Sequence, residues 1–465
     1  MSGSSVELQH SNKRTGDTVA PDLLSTLLGW LETLAPAFTK PGFRNAVIVL
    51  LGWVQTQGVH AVTQALVATG VAGRRHHEAF HRFFSRGTWS PDAVGRLLLT
   101  QIVRMFPEDA VLDLVLDDTL APKKGPKVFG IGNHLDPVRS TRRVRIFTFG
   151  HVWVVLSVVV RLPFSRRTWA LPVLFRLYRT KKDCARRRTA HRKKTELARE
   201  MLDLMARWLP DRNLRVAMDN AYCNSTVLHG LHRTLRVVGA MRPDAALTST
   251  PAAHVGRGRR RVRGEPLPSP LQLAKNRHQR WQRCTAFLYG RQQTVHFKTC
   301  DAQWYRVTGP EMVRVVVVRV DHGDHPLRVF FSTDPTLSVI EILETYAGRW
   351  SIEVCFRDLK QLLGFADSQA RKRTAVERTA PFVGFTYTIL VLWFADEVWR
   401  SPLAAPPRRP WYRHKQGLCF ADILRCAQRI MPASGFLDPD RDLDDLLENA
   451  RSRHQPPPRE APLAA

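Results

Sequence analysis

The sequence predicts an α/β protein in which a sheet-bearing core is flanked by helical segments and interrupted by a mainly β insertion. Three observations carry that prediction. Up to about residue 106 the apolar residues recur at helical spacing, as in Leu24, Leu27, Leu28 and Leu31. From residue 111 the texture changes to runs dense in Val, Ile and Phe, the composition of buried strands. Beyond Ser338 the helical pattern returns.

The chain has 465 residues, 44% hydrophobic and 24% charged, which suits a globular protein of two or three units. Residues 1–20 are polar and read as a disordered tail. Residues 21–106 form a helical N-terminal unit, either a DNA-binding head or a cap packed on the core. Its segment GRRHHEAFHRFFSRGTW mixes basic and aromatic residues.

Residues 107–239 hold the first part of the core. VLDLVLDD, VRIFTFGHVWVVLSVVV and ALPVLFRLY are three successive strands. An amphipathic helix follows, with Leu197, Met201, Leu204 and Trp208 along one face. LRVAMD is a compact fourth strand, and YCNSTVLHGLHRTL reads as the helix after it. Three strands, a helix, a strand and a helix is the order of an RNase H-like core.

Residues 240–335 begin with a Gly/Arg/Pro-rich loop and continue through TAFLY, TVHFKT, VRVVVVRV and LRVFF, a β-rich insertion subdomain. Residues 336–400 complete the core. Ser338 and Glu341 form a capping box that opens a helix expected to run to about Leu363, where Gly364 stops it. Residues 401–465 form a basic, Pro-rich C-terminal region, partly disordered after Asn449.

Lys plus Arg total 70 against 41 Asp plus Glu, a formal charge of +29. A charge that large selects polyanionic partners, nucleic acid first among them. Twelve Trp and 22 Phe argue against a mere charged scaffold. The seven cysteines are scattered and form no CxxC pair, so neither a zinc site nor a disulfide framework is indicated. The N-terminus lacks the apolar core of a signal peptide, and the longest apolar stretch, Phe382 to Trp393, is too short to span a bilayer. A cytoplasmic protein with no membrane partner is expected.

Three acids sit where phosphodiester chemistry needs them. Asp117 ends the first strand, Asp219 ends LRVAMD, and Glu353 lies on the late helix. Two magnesium ions about 3.5–4 Å apart, held by such carboxylates, can activate a nucleophilic oxygen and stabilise the leaving one. Any one of these acids could be an ordinary turn, cap or surface residue. Together, in this order within a basic protein, they favour catalysis. Asp118 competes with Asp117 for the first position, because strand alternation does not choose between neighbours. Tyr346, Arg349, Glu353 and Lys360 are spaced 3, 4 and 7 residues apart, one face of an α-helix. Arg349 and Lys360 would there hold DNA phosphates. Basic runs at Lys181, Lys182, Arg186–Arg188, Arg192–Lys194, Arg257, Arg259–Arg261 and Arg263 extend a phosphate-binding surface.

Tyr346-x2-Arg349-x3-Glu353-x6-Lys360 resembles the YREK signature of one large branch of bacterial insertion-sequence DDE transposases. DDTLAPKKG (117–125), GHVWVVLSV (150–158), MDNAYCN (218–224) and RPDAAL (242–247) are similar to motifs of a subgroup of that branch. The resemblance spans roughly 75 to 400 and implies an RNase H-like domain with a β insertion. It implies Asp117, Asp219 and Glu353 as a triad for two Mg²⁺ ions, with Mn²⁺ as a substitute, and Thr119 completing a D-x-Ser/Thr form. It also implies that Tyr346, Arg349, Lys360, Lys123 and Lys124 contact DNA. The implied substrates are terminal inverted repeats and target DNA, bound by a homodimer in the bacterial cytoplasm, at the nucleoid. A nuclease without strand transfer, or a catalytically silent DNA-binding protein, are the rival readings.

Overall fold

Among the described residues, one mixed sheet of twelve strands forms the frame against which the candidate side chains are placed. The structure, a computed structural model, describes residues 19–125, 127–141, 143–253, 259–319, 327–396, 398–406, 411, 417–433 and 443–453. The tail expected to be disordered before residue 19, and that after 453, lie outside the described residues, as does Arg257.

Five helices come first: α1 (Val19–Glu32), α2 (Lys40–Gln55), α3 (Val62–Ala68), α4 (Glu78–Ser85) and α5 (Pro91–Val103). Leu24, Leu27, Leu28 and Leu31 are buried, so the spacing that marked this helix also marks its inward face. These helices share one continuous apolar core with the sheet. At Gly95 of α5 a Cβ would run into the carbonyl oxygen of Val173, so only glycine permits this approach.

The strands β1 (Leu112–Pro122), β2 (Gly132–Leu135), β3 (Phe147–Arg161) and β4 (Thr168–Tyr178) follow, with β3 antiparallel to β1, β2 and β4. Helices α6 (Lys181–Arg186) and α7 (Lys194–Trp208) lead to β5 (Leu214–Met218), which is parallel to β1. Leu112, Leu114, Val115 and Leu116 are at most 1% exposed, and the one acid among them, Asp113, is paired by Arg215 of β5 at 2.6 Å.

A single turn, α8 (Ser225–Leu228), precedes β6 (Leu235–Ala240), parallel to β5. The helix expected over 222–235 is thus four residues long. Gly230 takes a left-handed backbone (φ 63°) that ends it, and the valine-rich stretch beyond pairs as a strand.

The remaining strands are β7 (Leu247–Thr248), β8 (Pro266–Leu267), β9 (Gln282–Leu288), β10 (Arg291–Gln303), β11 (Met312–Arg319) and β12 (Leu327–Ser332), with short helices α9 (Pro270–Lys275) and α10 (Tyr305–Thr308) between them. The β-rich segment is not set apart from the core. β12 pairs antiparallel with β6, Phe331 opposite Gly239, and the sheet continues through β11 and β10. An unpaired edge at β6 would leave a row of free backbone donors and acceptors, and β12 satisfies them.

The Ser338–Glu341 capping box forms and opens α11 (Val339–Gly348). The helix expected to reach Leu363 breaks at Arg349. There the amides of Arg349 and Ile352 donate three residues back, to Tyr346 and Arg349, before α12 (Trp350–Leu362) resumes. Next comes α13 (Arg373–Asp396), long and apolar enough by length and composition to cross a membrane, with 94% of its apolar window buried in the protein. It packs on β4, α4, α5 and α1. Helices α14 (Phe420–Ala433) and α15 (Leu443–Arg453) close the described chain.

Candidate active site

The sheet register brings the first two acids together. Leu116 of β1 is paired with Met218 of the parallel β5. The next residues, Asp117 and Asp219, therefore stand at the same level, about 4.8 Å apart; Asp219 follows the end of β5, whereas Asp117, expected to end its strand, lies within β1, which stays paired with β3 to Pro122. Glu353 comes from α12, which lies against β1.

One guanidinium ties these elements. Arg349 donates from Nη1 to Asp117 Oδ2 at 2.6 Å and from Nη2 to Glu353 Oε1 at 2.8 Å. The break between α11 and α12 falls on this residue. Asp117 Oδ1 accepts the amide of Asp118 at 2.8 Å. Burial pushes the Asp117 carboxyl up to about 7; Arg349 opposes the shift, while Asp118 and Asp219 add to it. Burial works against the charge of Arg349, but Asp117, Tyr346, Glu353 and Asp219 hold it above its ordinary range. Asp219 is half-buried and its Oδ1 accepts the Asn220 amide at 2.7 Å.

Asp118 turns to the other face of β1. Its Oδ2 accepts Lys194 Nζ at 2.8 Å and its Oδ1 accepts the Tyr222 hydroxyl at 2.7 Å. Adjacent strand residues point to opposite faces, so Asp117 meets Arg349 beside α12 while Asp118 meets Lys194 at the start of α7. Asp117 is the member of the pair that shares a cation with Glu353, whereas Asp118 anchors Lys194 and Tyr222. Burial, with Asp118 beside it, raises the Tyr222 hydroxyl far above the usual phenol range.

The Tyr346 ring packs on Phe330, with centroids 4.6 Å apart, and lies 5.6 Å from the guanidinium of Arg349. Burial pushes its hydroxyl up to about 12. Lys360, in the last turn of α12, is half-buried; burial lowers its ammonium, and Asp136 is the carboxylate that opposes this. Lys124 is exposed.

Lys123 requires a correction. Its ammonium donates to the carbonyls of Ala366 and Ser368 at 2.7 and 2.6 Å, pinning the loop between α12 and α13 to the end of β1. Burial lowers it to about 8. These two half-buried carbonyls give the ammonium a partner inside the protein, a use of the side chain that competes with a phosphate contact.

Sequence reasoning did not find the roles of Lys194 and Tyr222, nor an exposed aromatic pair. Trp350, 51% exposed, is three residues from Glu353 on the same helix, and its ring lies 6.4 Å from that of Tyr289, itself 55% exposed. Lys194 stood in a noted basic run and Tyr222 within MDNAYCN, but only the fold shows that both reach Asp118.

The donor set is wholly carboxylate, the hard oxygen chemistry that suits Mg²⁺ or Mn²⁺. As the side chains stand, no three His, Cys, Asp or Glu side chains among the described residues are grouped closely enough to hold an ion. The guanidinium of Arg349 occupies the space between two of the donors. The residues fit a divalent ion in kind.

The family model described as "DDE superfamily endonuclease" matches residues 33–294. A second, "Archaeal putative transposase ISC1217", matches residues 302–396. No curated protein matches the chain. Among solved structures it is similar to a piggyBac transposase synaptic complex with hairpin DNA, with 9% identity, a TM-score of 0.40, and coverage of 97% of this chain and 88% of that one.

Proposed function

The chain belongs to the DDE superfamily of endonucleases, and from that premise we propose that it is a transposase that cuts the ends of a mobile DNA element and joins them to target DNA. The observation that carries this reading is Arg349 bridging Asp117 of β1 and Glu353 of α12, with Asp219 following β5 at the level of Asp117 and adding to the field on Arg349. The order and direction of β4, β3, β1, β5 and β6 support an RNase H-like core, in which two neighbouring parallel strands bring acids to one level beside a helix.

In this reading Asp117, rather than Asp118, acts with Asp219 and Glu353 as the ligand set for two Mg²⁺ ions, with Mn²⁺ as a substitute. Bound there, the metal supplies Lewis-acid activation of the attacking oxygen and charge neutralisation at the leaving one. The chain's own contribution is position. Arg349 exchanges its carboxylates for a DNA phosphate, Tyr346 buttresses it from the Phe330 side, and Lys194, held by Asp118, adds a cation on the opposite face. Lys360 and Lys124 serve as further phosphate contacts; Lys123 does not. At the element end water attacks the phosphorus in line and the 3′ oxygen leaves as a hydroxyl; that 3′-hydroxyl then attacks a phosphorus of the target strand in line and expels the target's own 3′ oxygen. The substrates are terminal inverted repeats and target DNA, held by a homodimer in the bacterial cytoplasm.

The test supplies DNA containing the gene's own flanking sequences, a target plasmid and Mg²⁺ to the full-length protein. End cleavage followed by joined products is expected. Cleavage without joining would reduce the protein to a nuclease, and no metal-dependent cleavage would overturn the reading.

A further inference from the structure

Away from the acids, a cleft of about 660 Å³ opens between the base of the β2–β3 hairpin and α6. Ile131, Gly132 and Phe149 line it, and Lys124, Lys182 and Arg186 stand on its walls. Phe149 is 60% exposed, although it sits in a regular ladder opposite Asn133. A large aromatic left in water on a paired strand has a free face to offer. Gly132 keeps the floor bare, because a Cβ there would come within 2.6 Å of the Thr180 side chain and 2.7 Å of His134.

The charge around this face has one sign. The single acid in the lining, Asp183, is 3% exposed and committed to Arg179, Arg186 and Arg187 at 2.7, 2.8 and 3.1 Å. Three guanidiniums against one carboxylate leave a surplus of positive charge. Exposed Arg139, Arg143 and Arg145 on the loop joining β2 to β3 add to it. A flat apolar surface rimmed by cations fits a ligand with a π-face and an anionic backbone. A base inside a duplex has both its faces stacked and cannot offer one.

We propose that this cleft receives an unstacked nucleotide of the DNA, its base on Phe149 and its phosphates on Lys124, Lys182 and Arg186. The proposal rests on the DNA-processing reading above. Lys123 donates its amide to the Phe149 carbonyl and lies six residues beyond Asp117 on the line of β1. That places the cleft about 20 Å from the acids, or about six base steps of duplex. The cleft would thus grip a distorted or single-stranded stretch flanking the cut.

Fluorescence anisotropy of the full-length protein with a paired duplex, and with the same duplex carrying a thymidine bulge, tests this. Base stacking on one aromatic predicts that Phe149→Ala weakens binding of the bulged probe about ten- to a hundredfold and leaves the paired probe unchanged. Phe149→Trp restores the preference, and Phe147→Ala, at a neighbouring residue 57% exposed, leaves it intact. 2-Aminopurine in the bulge is quenched by wild type and not by Phe149→Ala. Equal affinity of wild type for both probes, or an equal loss on both in Phe149→Ala, would overturn the nucleotide cleft while leaving the DNA reading standing. Failure of wild type to bind even the paired duplex would overturn both.

Discussion

Replacing Arg349 with alanine tests the electrostatic design of the site. In the folded protein the side chains of Arg349 and Asp117 are 14% and 19% exposed, and that of Glu353 is 34% exposed. Removing the guanidinium leaves Asp117 facing Asp118 and Asp219 without its cation. Breaking a buried pair costs about 3–5 kcal/mol, and the residual exposure here puts the loss near the lower end, about 3 kcal/mol around pH 8. The sign of the pH dependence follows from Asp117. Its folded value already stands near 7, above the ordinary carboxylate range, and loss of Arg349 raises it further. The folded state then holds a proton that the unfolded state releases, so stability returns as the pH falls through the folded value toward the unfolded one near 4. Urea unfolding followed by tryptophan fluorescence at about pH 8 and about pH 5.5 reads both effects. In an Asp117→Asn background the cost of Arg349→Ala should fall below about 1 kcal/mol, because the orphaned charge is gone. The same loss in both backgrounds and at both pH values would refute the bridge.

Three further outcomes follow from single contacts. Lys123→Met should destabilise the protein by about 1 kcal/mol through the loss of two half-buried hydrogen bonds to carbonyls, with duplex affinity unchanged; a large loss of DNA binding in a variant that remains folded would restore Lys123 as a phosphate contact. His151 is 2% exposed with Nε2 against the Phe129 carbonyl, and burial, with Lys123 and His134 beside it, lowers it to about 4. The neutral form is favoured on folding, so the stability is present above about pH 6.5 and is lost as pH falls toward 4. That loss is about 3 kcal/mol, and in His151→Gln denaturation midpoints should lose that share of their pH dependence. Gly95→Ala should cost about 3 kcal/mol, because the added methyl meets the Val173 backbone rather than a movable side chain; an unchanged urea midpoint would contradict the packing of α5 on β4.

Local chemistry made much of the fold legible. Strands such as VVLSVVV announce themselves by composition, and the Ser338–Glu341 box marks a helix start within four residues. What could not be read depended on partners distant in sequence. TLRVVGA became β6 because parallel β5 and antiparallel β12 stand on either side of it, which no local propensity reveals. The helix break at Arg349 follows no proline; it coincides with a side chain that must reach both β1 and the next turn. The same holds at the site. Asp117 and Asp118 are indistinguishable in a strand pattern, and they part only when α12 arrives on one face and α7 on the other. Nothing in the sequence marks the internal partners of Lys123, because those carbonyls lie more than two hundred residues away.

The central claim is that Asp117, Asp219 and Glu353 form one metal-dependent cutting centre, and cleavage of DNA carrying the gene's flanking sequences measures it most directly. Wild type, Asp117→Asn, Asp219→Asn and Glu353→Gln would be compared with Mg²⁺, with Mn²⁺ and with chelator, alongside a DNA-binding control. The account predicts metal-dependent cleavage by wild type and a loss of at least about a thousandfold in each variant, with duplex binding retained. Undiminished cleavage by any one of the three, or cleavage by wild type in the presence of chelator, would contradict it.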